Sequence, residues 1–283
     1  MGIYDPGTKI RPPKQNGLIT IMNSPYSFPE ITLLVTHYNR SSSLERLLSA
    51  FRQLNCNFGE IIVSDDASKP EHLENVKAMQ PKFNFRLVTT PVNKGHGHSI
   101  NKGQDEVRTP YTLYVQEDFV PSAIFSDHLQ DALQFMNEDK NLDYIRFWAF
   151  LTSYPMLKPY GKGYSEMTFS FWNMNHLKFY QYSDTPHLRR SSFFEKFGRY
   201  KEGLKGDVID YKMAVSFLQN EGKGLFYDEY TTLFTHENSP DEPSTMRDLK
   251  NWRQSQNIFV RLLRAAYLKY KWIKCSWEVK YMR

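Results

Sequence analysis

With 283 residues, 40% hydrophobic and 24% charged, the chain is long enough for about two compact units, too apolar for disorder and too varied for a fibrous repeat. The net charge of +5 is gathered at one end, where Arg261, Arg264, Lys269, Lys271, Lys274, Lys280 and Arg283 oppose Glu278 alone; the nearly neutral body excludes a uniformly basic nucleic-acid binder. Cys56 and Cys275 are far apart, with no CxxC partner, which excludes a zinc ribbon and argues for a reducing compartment.

No apolar run approaches the roughly 20 residues that span a bilayer. The opening residues lack the apolar core of a secretory signal, so a cytoplasmic location is expected. Residues 1–29, rich in Pro, Gly and Asn, read as an arm over the surface. ITLLVT (31–36) is a predicted strand, and Ser41 to Ser43 are candidate caps for a helix with Leu44, Leu47, Leu48, Phe51 and Leu54 on one face. EIIVS (60–64) is the next strand; Leu73, Val76 and Met79 mark a helix after Pro70, and FRLVTT (85–90) a third strand. A short helix near 99–107 leads to the strand YTLYVQ (111–116). Pro121 and Ser122 open a helix with Phe125, Leu129, Ala132, Leu133 and Met136 inward, and DYIRFWAF (143–150) closes the series.

Strands alternating with helices predict an α/β fold with a mostly parallel central sheet flanked by helices. Beyond residue 150 the rhythm changes. An aromatic, loop-rich stretch reaches Tyr200, then a helix (208–220), an extended segment (224–236) and a basic, aromatic helical end from about 245. The expected organisation is an arm (1–29), an α/β half (30–150), a loop-rich half (151–244) and a helical tail (245–283).

Ligands of such sheets gather at the carboxyl ends of the strands, and the polar clusters HYNR, SDDAS and QED fall there. Asp65 and Asp66 are suited to accept from a nucleobase imide, with Tyr38 and Asn39 on the same rim. Asn93, Gly95, Gly97, Asn101 and Gly103 form a Gly- and amide-rich approach to a helix that can meet phosphate oxygens. Glu117 and Asp118 are hard oxygen ligands fit for Mg²⁺ or Mn²⁺.

The ordered set ITLLVTHYNR, EIIVSDDAS, NKGHGHSINKG and YVQEDFVPS resembles the family 2 glycosyltransferases of GT-A fold, over about residues 30–125 and more loosely 185–240. The resemblance implies a UDP- or GDP-linked sugar donor, a glycan or lipid-linked acceptor, a divalent cation and inversion at the anomeric carbon. It places Thr36, Tyr38 and Asn39 around the nucleoside, Asp65 and Asp66 on base and ribose, and Asn93 and Gly95 near ribose and diphosphate.

Two positions depart from the family pattern. Gln116 stands where a carboxylate is usual, which leaves Asp118 as the expected metal ligand with Glu117 in support. Ile100 stands where an Arg often meets the diphosphate, with Lys94 and Lys102 as substitutes. By the same resemblance, Asp207 is the expected general base, Asp210 its reserve, and His236 the residue completing the metal shell.

Plainer readings stand beside these. Asp65-Asp66 is also an ordinary turn pair, Asp118 and Asp207 are also helix caps, His236 is also a packing residue, and His96 and His98 read as loop residues without a ligand. Residues 261–283 suit a helix on an anionic membrane surface, or one docked on the body with snorkelling lysines. The rival functions are a non-catalytic sugar-nucleotide or glycan-binding module, motivated by Gln116, and a sugar nucleotidyltransferase, which HYNRSSS disfavours because it lacks a Gly-rich, basic loop.

Overall fold

The computed structural model describes residues 26–150, 154–238, 242 and 257–281. The strands are β1 (Tyr26–His37), β2 (Cys56–Asp65), β3 (Arg86–Val88), β4 (Tyr111–Gln116), β5 (Phe119–Pro121), β6 (Tyr144–Arg146), β7 (Leu157–Gly161), β8 (Tyr164–Met167), β9 (His187–Arg190), β10 (Gly224–Tyr227) and β11 (Phe234–His236). The helices are α1 (Ser41–Gln53), α2 (Pro70–Phe83), α3 (His96–Asp105), α4 (Phe125–Glu138), α5 (Phe193–Phe197), α6 (Gly206–Gln219) and α7 (Ile258–Tyr281), with a 3₁₀ turn at His176–Phe179.

One nine-stranded sheet carries the fold, in the order β3-β2-β1-β4-β9-β6-β10-β8-β7. It crosses residue 150, so both predicted halves share it. β9 and β8 run against the other strands. Its centre is the predicted parallel unit: Leu33, Leu34 and Val35 of β1 pair with Ile61, Ile62 and Val63 of β2 on one side and with Leu113, Tyr114 and Val115 of β4 on the other. Both faces of β1 are covered. Leu33 and Val35 join the core of α1, α2 and α4, while Leu34 joins Ile62, Ile100, Tyr114 and Phe217 beneath α3 and α6.

β1 begins at Tyr26, inside the predicted arm, because Tyr26 to Phe28 pair with Cys56 to Phe58 before a register shift near Pro29. Gly59 permits that shift: a Cβ there would lie 2.1 Å from the Pro29 carbonyl oxygen. Residues 1–25 of the arm lie outside the described residues.

α1 buries Leu44, Leu47, Leu48 and Phe51 as its spacing predicts. Its cap differs. None of Ser41 to Ser43 caps the helix with its own side chain; the carboxylate of Glu242 accepts the Ser42 and Ser43 backbone N–H groups, each at 2.9 Å. A carboxylate at a helix N-terminus answers both the unpaired donors and the positive dipole end.

Pro121 and Ser122 do not open α4. Pro121 closes β5, which pairs antiparallel with β11, and the helix starts at Phe125. This small second sheet turns the predicted 224–236 run into two strands and carries His236 back to the Gln116-Glu117-Asp118 turn. The basic helix is observed over 258–281; the rest of the expected tail, 245–256 and 282–283, lies outside the described residues.

Candidate functional site

β1, β2 and β4 end at one level, with Thr36 opposite Ser64 and Gln116, and His37 opposite Asp65. The residues that follow these strands therefore meet at one edge, which brings Asp65 and Asp118 to the same side of the molecule. The link runs through β1. Asp65 Oδ1 lies 2.8 Å from His37 Nδ1, His37 Nε2 accepts the Arg40 N–H at 3.2 Å, and Arg40 Nη1 donates to Asp118 Oδ2 at 2.6 Å.

Asp65 is fully buried, so it cannot touch a nucleoside as the resemblance implies. Its oxygens face His37 and accept from the Ser68 hydroxyl and backbone N–H. Burial alone would raise its pKa, but these hydrogen bonds outweigh it and hold the carboxyl below its ordinary value. Its stabilising contribution is therefore complete above the unfolded value of about 3.9 and is lost as pH falls through the folded one. Asp65→Asn is expected to lower stability at neutral pH by about 1.5–3 kcal/mol, the range for hydrogen bonds to a charged group, and to converge with wild type in acid. Urea unfolding at neutral pH and near pH 2 checks this; an equal deficit at both would count against it.

Asp66 braces the next turn. Its two oxygens accept the backbone N–H groups of Lys94 at 3.0 Å and Gly95 at 2.7 Å, and Asn93 Nδ2 donates to the Asp66 carbonyl at 3.2 Å. The Gly95 donor that was expected near phosphate oxygens is thus engaged by Asp66. Asn39, in the left-handed region at φ 54°, caps Lys69 N–H with its side chain at 2.7 Å. Tyr38 stays half-exposed at the rim, and Thr36 Oγ1 meets the Tyr114 hydroxyl at 3.0 Å.

Ile100 is buried against the sheet, and Lys102 Nζ is held at 2.5 Å by the Asp65 carbonyl. Of the two substitute lysines only Lys94 is exposed. Gly103 lets α3 press on the sheet, since a Cβ there would come within 2.5 Å of Leu34 Cδ1.

Asp118 is the centre of the second cluster. Its Oδ2 meets Arg40 Nη1 and lies 3.0 Å from His236 Nε2, whereas its Oδ1 is buried without a hydrogen-bond partner among the described residues. Arg40 also donates to Asn238 Oδ1 at 2.5 Å and to the Glu242 carbonyl at 3.3 Å, which fastens these two residues to the site. Burial raises the Asp118 pKa, but hydrogen bonds from His236 and Arg40 reverse this and keep it low. Burial, with the charge of Asp118 alongside, pushes the Glu117 carboxyl up to about 8.

Among the described residues no three His, Cys, Asp or Glu side chains are grouped as a complete metal cage. The donor set fits a cation completed by its ligand: one low-pKa carboxylate with an orphaned, inward oxygen, and one imidazole against it. Mg²⁺ and Mn²⁺ sites commonly use one or two carboxylates plus substrate phosphates. Phe150 adjoins this cluster, half-exposed, with its ring 5.3 Å from His236 and 4.4 Å from Trp148.

A third cluster lies farther along the edge. Asp184 Oδ2 is 2.9 Å from His96 Nε2, the Asp184 backbone N–H donates to Asp210 Oδ1 at 2.8 Å, and Gln116 Nε2 donates to the Asp184 carbonyl at 3.2 Å. Burial lowers the His96 pKa, but the Asp184 carboxylate more than restores it, and the net shift is upward. Burial, then the charge of Asp184, raises Asp210 well above its ordinary value. Asp207, by contrast, is exposed on the first turn of α6 and takes part in none of these contacts. The structure thus groups Gln116, Glu117, Asp118, Asp210 and His236 with the strand ends and leaves Asp207 outside.

Arg40, His96 and Asp184 are the site residues that sequence reasoning missed. Arg40 stood in a quoted motif without a role, and His96 was read as a loop residue. Asp184 lies in an aperiodic loop with no local signal.

The family model for Glycosyl transferase family 2 matches residues 32–198. A teichoic acid poly(glycerol phosphate) polymerase of Staphylococcus epidermidis is 32% identical over 93 residues, 31% of this chain and 13% of that protein. A poly-beta-1,6-N-acetyl-D-glucosamine synthase of Staphylococcus epidermidis is 25% identical over 105 residues, 37% of this chain and 26% of that one. The matched stretches therefore span only 13% and 26% of these relatives' own lengths.

Among solved structures, S. aureus TarS 1-349 in complex with UDP-GlcNAc superposes with a TM-score of 0.58 at 14% identity, covering 88% of this chain and 72% of that one. The mannosyltransferase PcManGT from Pyrobaculum calidifontis, in complex with GDP-Man and Mn²⁺, gives 0.52 at 11%, covering 89% and 76%. The architecture is that of the GT-A fold. With more than half its length matched by the family model and its strand-end clusters in the expected order, the chain belongs to glycosyl transferase family 2.

Proposed function

We propose that the protein is an inverting glycosyltransferase moving a sugar from a UDP- or GDP-linked donor to a hydroxyl of a glycan or lipid-linked acceptor, in the cytoplasm and at the inner face of the membrane. The observation that carries this reading is the buried Asp118, paired with Arg40 and His236, whose second oxygen is orphaned at the edge where the parallel strands end. The ligands in the TarS and PcManGT complexes, UDP-GlcNAc in one and GDP-Man with Mn²⁺ in the other, support it.

In this reading Thr36, Tyr38 and the turns held by Asp66 and Asn39 form the nucleoside end, and Asp65 acts by holding His37. Asp118 and His236 would hold Mn²⁺ or Mg²⁺, which as a Lewis acid offsets diphosphate charge as the leaving group departs. Arg40 fixes the Asp118 carboxylate and adds positive charge. Phe150 offers an aromatic face to a sugar.

The acceptor oxygen bonds to the anomeric carbon as the bond from that carbon to the phosphate oxygen breaks, and the bonding pair leaves with the diphosphate. The acceptor proton passes to a carboxylate. We assign that role to Asp184, whose Oδ2 is oriented by His96, and to Asp210 the task of holding the Asp184 backbone.

A panel of UDP- and GDP-sugars with Mn²⁺ tests the reading by thermal shift and by release of nucleoside diphosphate. At about 100 times its Kd, a donor should stabilise by about 2.7 kcal/mol. Silence across the whole panel would overturn it.

A further inference from the structure

We propose that the solvent-facing side of α7 docks on an anionic membrane surface. α7 has apolar residues on two opposite sides. One packs on the body: Cys275 and Val279 are buried with Phe179 and Val215, Trp272 Nε1 donates to the Asn173 carbonyl at 2.9 Å, and Gln219 Nε2 donates to the Glu278 carbonyl at 2.9 Å. The other side is open. Phe259, Leu263, Tyr270, Ile273, Trp277 and Tyr281 follow one another at intervals of three, four or seven residues, so at 3.6 residues per turn they form a single stripe. Each is more than half exposed. A stripe of this length and width, uncovered by the chain's own described residues, is larger than scattered surface apolar residues account for.

Charge selects the occupant. By the same helical period, Lys269 and Lys280 border the stripe on one side and Lys274 on the other. The only acid of the helix, Glu278, accepts from the Tyr211 hydroxyl on the docked side and lies 3.8 Å from Lys274.

The three-and-four spacing of the stripe is also the seam of a coiled coil. A second copy would, however, bring lysine-bordered seam against lysine-bordered seam, with no acid to pair across it. An anionic lipid surface supplies the missing charge. Lysine stems lie along apolar surface while their heads stay in water, and Trp and Tyr favour the headgroup level, so the whole face matches a helix lying in the plane of the interface. The helix does not cross: among the described residues none is long and apolar enough.

The test uses the full chain and sedimentation with vesicles of phosphatidylcholine, with and without about one third phosphatidylserine. Wild type is expected to bind the anionic vesicles at least about 10-fold more tightly, and to lose most of that preference between about 0.1 M and about 0.5 M salt. The variant Lys269→Glu/Lys274→Glu/Lys280→Glu should lose the preference. Leu263→Ser/Ile273→Ser, at exposed positions that leave the docked side intact, should lose binding to both vesicle types.

No binding by wild type, or undiminished binding by both variants, would overturn the proposal. So would a dimer in light scattering that dissociates in Leu263→Ser/Ile273→Ser, which assigns the stripe to a second copy. Stabilisation by nucleoside diphosphate and Mn²⁺, measured on the same samples, reports separately on the transferase reading.

Discussion

Asp118→Ala is expected to abolish the stabilisation that UDP or GDP with Mn²⁺ gives the wild-type protein, and to reduce sugar transfer on the order of 10³-fold. The carboxylate has two separable duties. Its Oδ2 pairs with Arg40 in a setting where both side chains are nearly buried, at 8% and 6% exposure. Its Oδ1 has no hydrogen-bond partner among the described residues.

Removing the whole group leaves Arg40 with only the more distant Glu117 carboxyl, at 3.6 Å, to offset its charge, so the alanine variant should also lose up to about 3–5 kcal/mol of stability without any ligand. Asp118→Asn separates the duties. Its amide oxygen can still accept from Arg40, so most of the ligand-free stability is retained, while a neutral amide is a poor cation ligand. Both variants should lose the Mn²⁺-dependent rise in melting temperature, which for a donor near 100 times its Kd amounts to about 5–10 °C in a chain of this size. The several kcal/mol a Lewis acid contributes at a departing diphosphate set the loss of rate. A full Mn²⁺-dependent shift in Asp118→Asn would remove Asp118 from the metal site.

The strand ends were legible because the signals are local. Leu33 to Val35, and the helical spacing of Leu44, Leu47, Leu48 and Phe51, each place a face against the core, and the polar residues just beyond β1, β2 and β4 had to emerge at one edge. The contacts that complete the site are not local. His236 meets Asp118 across 118 positions, and only a family resemblance pointed to it; the device that joins them is the short β5–β11 pairing, whose β11 lies at the end of a run that read as one extended segment.

Arg40 was visible in HYNR, but its partners Asn238 and Glu242 lie about 200 positions away. Composition also misled in one direction. Asp65 and Asp66 look like ligand-binding carboxylates, yet the chain's own donors occupy them, since a sharp strand-to-helix turn needs acceptors as much as a nucleotide needs a base contact. Aromatic density was equally mute: Trp148 is 7% exposed and Trp172 91%, and nothing in their spacing distinguishes them.

Asp184→Asn is expected to lower kcat by about 10²–10⁴-fold, the usual range for removal of a general base, while nucleoside diphosphate binding with Mn²⁺ stays near wild type. Asparagine preserves the size of the group but cannot take the acceptor's proton. It also withdraws the charge that raises the His96 pKa, so the imidazole should titrate at lower pH in the variant by NMR, a change that loss of packing alone would not bring about.

Asp210→Asn should act more mildly, because the amide oxygen can still accept the Asp184 N–H and keep that loop in place. Asp207→Asn, at an exposed position outside the cluster, should leave the rate within about twofold. The order of the three variants decides the assignment. If Asp207→Asn is the slow one and Asp184→Asn is not, the proton acceptor lies at the start of α6, and α6 must turn its first residues toward the strand ends when donor and acceptor are bound.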